Sequence, residues 1–120
     1  MKVRMTLSAS EAWALRDVAR ALVVALGKPK DFGEMQEVDA LVALWNDLGE
    51  KLMDLREKVR VTLSDAVSAV LWERIDASEL PPYEQALMAK VHGEMDRHYH
   101  RRMTAMTALD GRALEEGGRR

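Results

Sequence analysis

Lys, Arg and Thr recur at matched positions in two short stretches of this chain: Lys2, Arg4 and Thr6, then Lys58, Arg60 and Thr62. Alternate residues of an extended strand share one face, so each trio would stand in a row. Arginine can donate two parallel hydrogen bonds to one guanine. Threonine can donate, accept or touch a thymine methyl, and lysine suits phosphate. Such a row is a candidate surface for reading nucleic acid. The blander alternative is that two valine-rich segments pair as a structural clip and their polar residues simply face water.

Other groupings have weaker claims to chemistry. His92, Asp96 and His100 are spaced four apart along the last predicted helix. Two of them could chelate a divalent metal, but a usable site needs a ligand from another element, and the sequence nominates none. A solvated polar flank is expected there, with no metal. The window Arg97-His-Tyr-His-Arg-Arg102 is the most basic in the chain. Tyr99 falls on the apolar stripe and is expected in the core, and bases late in a helix favour its dipole. Glu34-x-x-Glu37 and Glu73-x-x-Asp76 resemble the paired acidic motifs with which all-α MazG-like nucleotide pyrophosphohydrolases hold magnesium. Asp54-x-x-Glu57 fits the same spacing, and exposed helix faces account for all three. There is no cysteine, no glycine-rich phosphate loop and no Ser/His/acid arrangement with local support. No catalytic residue, metal or cofactor is therefore expected, and the protein is not expected to be an enzyme.

The elements that would position these residues are legible. Residues 2–7 alternate polar and apolar, the period of a short strand. Ser8 with Glu11 forms a Ser-x-x-Glu capping box that should start a helix. Its buried stripe is Ala12, Leu15, Ala19, Leu22, Val23 and Leu26, and Gly27 with Pro29 should end it. A long second helix is expected from about Glu34 to about Glu57. Val38, Leu41, Trp45, Leu48, Leu52, Leu55 and Val59 step alternately by three and four, a heptad seam. Trp13 and Val24 lie off the first helix's main stripe and hint at a packed neighbour. A second strand, 58–63, and a helix with Leu63, Val67, Val70, Leu71 and Ile75 follow. After Ser78-Glu-Leu-Pro-Pro82, a last helix is expected from about Pro82 to about Leu109. Its stripe is Met88, Val91, Met95, Tyr99, Met106 and Leu109.

The fold class expected is mainly α: a four-helix antiparallel, bundle-like domain with two short strands, about 2–7 and 58–63, that pair. Residues 1–109 would form one domain of two strand-helix-helix halves, 1–57 and 58–109, with 110–120 a flexible tail. At 120 residues and 48% hydrophobic content, one domain with a modest core is what the chain can build. Net charge is −2, distributed unevenly: residues 1–30 carry +4 and residues 31–57 carry −6. The apolar run Ala21 to Leu26 is too short to cross a bilayer. Glu11, Arg16, Asp17 and Arg20 interrupt any signal-peptide pattern, so cytoplasm is the expected location. Twelve Arg against six Lys suggest a GC-rich genome, bacterial or phage.

The two halves announce themselves by a repeat. Residues 2–8 read Lys-Val-Arg-Met-Thr-Leu-Ser and residues 58–64 read Lys-Val-Arg-Val-Thr-Leu-Ser, six of seven identical at an offset of 56. These segments, each followed by helix, turn and helix, resemble the ribbon-helix-helix family of DNA-binding proteins. The resemblance implies that the strands pair antiparallel, that their polar face enters the DNA major groove, and that Lys2, Arg4, Thr6, Lys58, Arg60 and Thr62 are the readers. One chain would supply both units. The long second helix and long Gly27–Gly33 turn depart from the family pattern, and the −6 segment would have to face away from DNA. The expected function is thus a small DNA-binding regulator. The alternative is a helical, self-associating interaction protein that docks on a host or virion protein. A homo-oligomer, a dimer, is expected in either case.

Overall fold

The computed structural model describes residues 2–54, 57–75 and 79–118, with residues 102–118 as backbone only. The elements run β1 (Val3–Ser8), α1 (Ala9–Leu26), α2 (Phe32–Met53), β2 (Lys58–Leu63), α3 (Asp65–Glu73) and α4 (Pro82–Gly118). The fold is mainly α with one two-stranded sheet, as the periodicities predict.

β1 and β2 pair antiparallel within the single chain, with Val3 opposite Leu63, Met5 opposite Val61 and Leu7 opposite Val59. All six of these side chains are buried, and the residues between them are exposed. A lone two-stranded ribbon is marginal in water. Here its apolar face joins one continuous core with Leu15, Val18, Leu41, Leu48, Leu71, Met88 and Val91.

Ser8 closes β1 and caps α1. Its Oγ accepts from the Glu11 amide at 3.1 Å, and Glu11 Oε1 accepts from the Ser8 amide at 2.9 Å, so the reciprocal box is complete. Lys90 of α4 donates to the same carboxylate at 3.0 Å. The Ser8 amide, with the Lys90 ammonium adding to it against a burial penalty, holds the Glu11 carboxyl below its ordinary range. Ser64 repeats the device for α3, accepting from the Val67 amide at 3.3 Å. Valine stands where the first half has Glu11, so only half the box is present. Gly27 ends α1 at φ +62°, ψ −142°, a conformation that side chains with a Cβ avoid.

α2 differs from its expected course. It is capped by Asp31, whose Oδ1 accepts from the Glu34 amide at 2.8 Å, and it stops at Met53 rather than near Glu57. Val59 belongs to β2, and Leu55 lies outside the described residues. The buried face is Leu41, Leu44, Leu48 and Leu52, with Val38 and Trp45 only half-buried. The seam is therefore not a coiled-coil seam. α2 packs against both α1 and α3, so a wider stripe that includes Leu44 is covered.

On α3, Val67, Val70 and Leu71 are buried and Ile75, just beyond it, is half-buried, while Leu63 sits in β2. α4 begins at Pro82, where the missing amide costs nothing. It buries Leu87, Met88, Val91 and Met95. Its backbone stays helical to Gly118, past Leu109 and through the stretch read as a tail. A 37-residue helix is about 55 Å long, and it sets the longest molecular dimension of 59 Å. The stripe consequently leaves the core before the helix ends: Tyr99 is 53% exposed, not a core residue. The side chains of Met103, Met106 and Leu109 lie outside the described residues.

Candidate nucleic-acid interface

The ladder fixes the outer face of the ribbon. Arg4 lies opposite Thr62, Thr6 opposite Arg60 and Ser8 opposite Lys58. Lys2 precedes β1 by one residue. All of these side chains are exposed. A single register slip would have turned them inward, so the burial of Val3, Met5, Leu7, Val59, Val61 and Leu63 is what holds the polar row outward.

The row has a regular geometry. Successive outward residues on a strand are about 6.7 Å apart, close to two base-pair steps, and a two-stranded ribbon fits a major groove about 12 Å wide. Arg4, Thr6, Arg60 and Thr62, together with Met5 and Val61, outline a shallow hollow of about 360 Å³ on this face. Among the described residues neither Arg4 nor Arg60 is held in an ion pair, so both guanidinium groups keep their donors for a partner. Ser8 is committed to the helix cap and is a poorer candidate reader.

One flank of the ribbon is mixed in charge. Lys51 of α2 donates to the Arg60 carbonyl at 2.7 Å and pairs with Asp47 at 3.0 Å. Lys51, Asp54 and Lys58 line a hollow beside Thr6 and Arg60. The acidic helix therefore does not turn wholly away from the ribbon: its last turn reaches the β2 edge, with Lys51 as the cation nearest the backbone there.

The other groupings fall apart as sites. His92 Nε2 lies 2.9 Å from the Leu71 carbonyl, which can only accept, so that nitrogen carries the proton. Its ring meets Trp72 edge-on at 5.4 Å. Asp96 and His100 approach each other at 3.8 Å without it. Glu37 is taken up by the Arg74 guanidinium at 2.8 and 3.4 Å, and Glu34 by the Lys30 amide at 2.8 Å. The Glu37 carboxylate raises the Arg74 pKa further above its already high value. Asp76 lies outside the described residues, and among the described residues no group of three potential ligands gathers around a metal position.

Sequence reasoning missed one arrangement. The Arg16 guanidinium lies 3.8 Å over the Trp45 ring and 5.5 Å from Trp13, and its Nε donates to the Trp45 carbonyl at 3.2 Å. A Cβ at Gly49 would stand 3.1 Å from Arg16 Nη2, so that glycine makes room for the stack. The absence of a side chain one helical turn beyond Trp45 was the available signal. Trp13 is thus partly covered by its own chain, although 49% of it remains exposed. Among the described residues no helix is long and apolar enough to cross a membrane. Comparison with protein-family models, curated proteins and solved structures gives no match to this chain.

Proposed function

We propose that the protein is a small, non-enzymatic DNA-binding regulator that lays its β1–β2 ribbon in the major groove. The observation that carries this reading is the register. It sets two identical Lys/Arg/Thr rows side by side on one exposed face, with each arginine opposite the other strand's threonine. In this reading Arg4 and Arg60 contact base edges, Thr6 and Thr62 discriminate beside them, and Lys2 and Lys58 bind phosphate at the ends. This reading follows the resemblance to the ribbon-helix-helix family, with both units on one chain, and the single chain carries both strands of the ribbon. Titration of a labelled duplex pool at several salt concentrations tests it. Affinity should fall steeply as salt rises, because phosphate contacts release counterions. Absent binding, or binding indifferent to salt, overturns it.

A second reading, a helical interaction protein, is favoured by apolar side chains around the α1–α2 turn. Val24 is 73% and Phe32 71% exposed, with Met35 nearby. Self-association through this end would give the expected homodimer, on the opposite task from the ribbon. Sedimentation of the wild type and of Phe32→Ser tests self-association through this end: a dimer lost in the variant supports it, and a monomer throughout removes it.

A further inference from the structure

We propose that two copies of this chain pair antiparallel along α4, so that the part of α4 beyond the core in each copy covers the α3–α4 cleft of the other. The two halves of the chain treat their helix pairs differently. α1, 18 residues long, packs along α2. α3 has only 9 residues, and between it and α4 a cleft of about 580 Å³ stays open. Trp72, 53% exposed, stands on its α3 side, and Met95 and Tyr99 line its α4 side.

α4 itself supplies the second observation. Its buried residues Met88, Val91 and Met95 are set at helical spacing. In the sequence that spacing leads through Tyr99, on the cleft wall, to Met103, Met106 and Leu109. Among the described residues the core reaches no further along α4 than Met95. The backbone nevertheless stays helical to Gly118, roughly 28 Å past Tyr99. Thr104, Thr107 and Gly111 are weak helix formers, so propensity does not hold this stretch. Helices of such length draw their stability from packing an apolar stripe against a neighbour.

Charge identifies the neighbour. α3 carries Asp65 and Glu73 and no base, and both acids line the cleft. From His98 to Leu114 the sequence of α4 carries Arg101, Arg102 and Arg112 against a single acid, Asp110. An acidic cleft with an apolar wall and a basic helix with apolar spacing are complementary, and both belong to this chain. Cleft wall and projecting stretch are consecutive parts of one helix. A two-fold axis between Tyr99 and Met106 therefore satisfies both copies at once: each gives its projecting stretch and receives the other's. An isologous interface of this kind closes at two copies. The ribbon takes no part in it, so the proposal stands independently of DNA binding.

Sedimentation of the full chain over a concentration series tests it, and a reversible dimer is expected. Met106→Glu and Glu73→Arg should each weaken that dimer by at least about tenfold, whereas Phe32→Ser, at the other apolar end, should leave it unchanged. Glu73 is exposed, so its variant should fold; if Met106→Glu does not, Glu73→Arg decides. The chain has no cysteine, so Thr107→Cys can carry a single nitroxide label. Mixed with isotope-labelled wild type, the labelled variant should broaden the Trp72 indole N–H resonance of the other copy. A monomer throughout, a dimer indifferent to both charge variants, a dimer dissolved by Phe32→Ser instead, or an unbroadened Trp72 in the mixed dimer overturns the proposal.

Discussion

Met5 of β1 lies directly opposite Val61 of β2, and the register is symmetric about that pair. A half-turn through it exchanges Arg4 with Arg60 and Thr6 with Thr62. The repeat offset alone allows many registers. The observed one sets Val3, Met5 and Leu7 against Leu63, Val61 and Val59, so both apolar rows face the core.

The two faces of the ribbon should respond differently to truncation. Leu63→Ala removes a side chain with no exposure from the core and should cost about 2–5 kcal/mol. Thr62→Ala, on the exposed face, should change stability by no more than about 0.5 kcal/mol. Urea unfolding of both variants reads the difference. Equal costs would mean that the strand does not present these faces.

Glu11 links the start of α1 to α4. Its carboxyl is held below the ordinary glutamate value of about 4.5, so its charge contributes stability that is fully present above that value and is lost as pH falls through the lower, folded-state value. Glu11→Gln keeps a capping-box acceptor but removes the charge and the Lys90 pair. It should lower stability by about 0.5–1 kcal/mol at neutral pH and flatten the acid limb of the stability curve. Thermal melts from pH 7 down to about pH 3 check both the size and the sign.

Gly49 and Arg16 should be coupled. Gly49→Ala gains up to about 1 kcal/mol in helix propensity but pushes on the guanidinium stacked over Trp45. In an Arg16→Ala background the same alanine should deliver its full gain. A double-mutant cycle by urea unfolding should return a coupling of at least about 0.5 kcal/mol, whereas additive effects would show that the contact has no energetic weight.

Ser68→Ala should stabilise the unliganded protein by about 1 kcal/mol, because it deletes a buried hydroxyl that has no partner and leaves the residue its repeat counterpart already carries. Thermal melts of wild type and variant check it, with a higher melting temperature expected for the variant. Loss of stability would show instead that the hydroxyl serves the fold.

The elements were legible wherever local chemistry decided them. Ser8 with Glu11 marked a helix start, the alternation at 3–7 and 59–63 marked strands, and Gly27 marked a stop, because each signal depends on residues within one turn of one another. What failed depended on neighbours. Leu44 is buried because α2 is covered from two sides, and Tyr99 is exposed because α4 outruns the core; neither fact is written in the helix's own pattern. The candidate reading row was legible because a period of two assigns faces without knowledge of the partner. The Arg16 stack was not, since it joins residues on different helices.

The most direct measurement is duplex binding by Arg4→Ala with Arg60→Ala, compared with wild type by fluorescence polarisation at fixed salt. Both side chains are exposed, so the double variant should melt within a few degrees of the parent. If the ribbon reads bases, its affinity should drop by at least about tenfold for each arginine, and preference among duplex sequences should disappear. Wild-type affinity and preference retained in a folded double variant would contradict the assignment of this face to DNA.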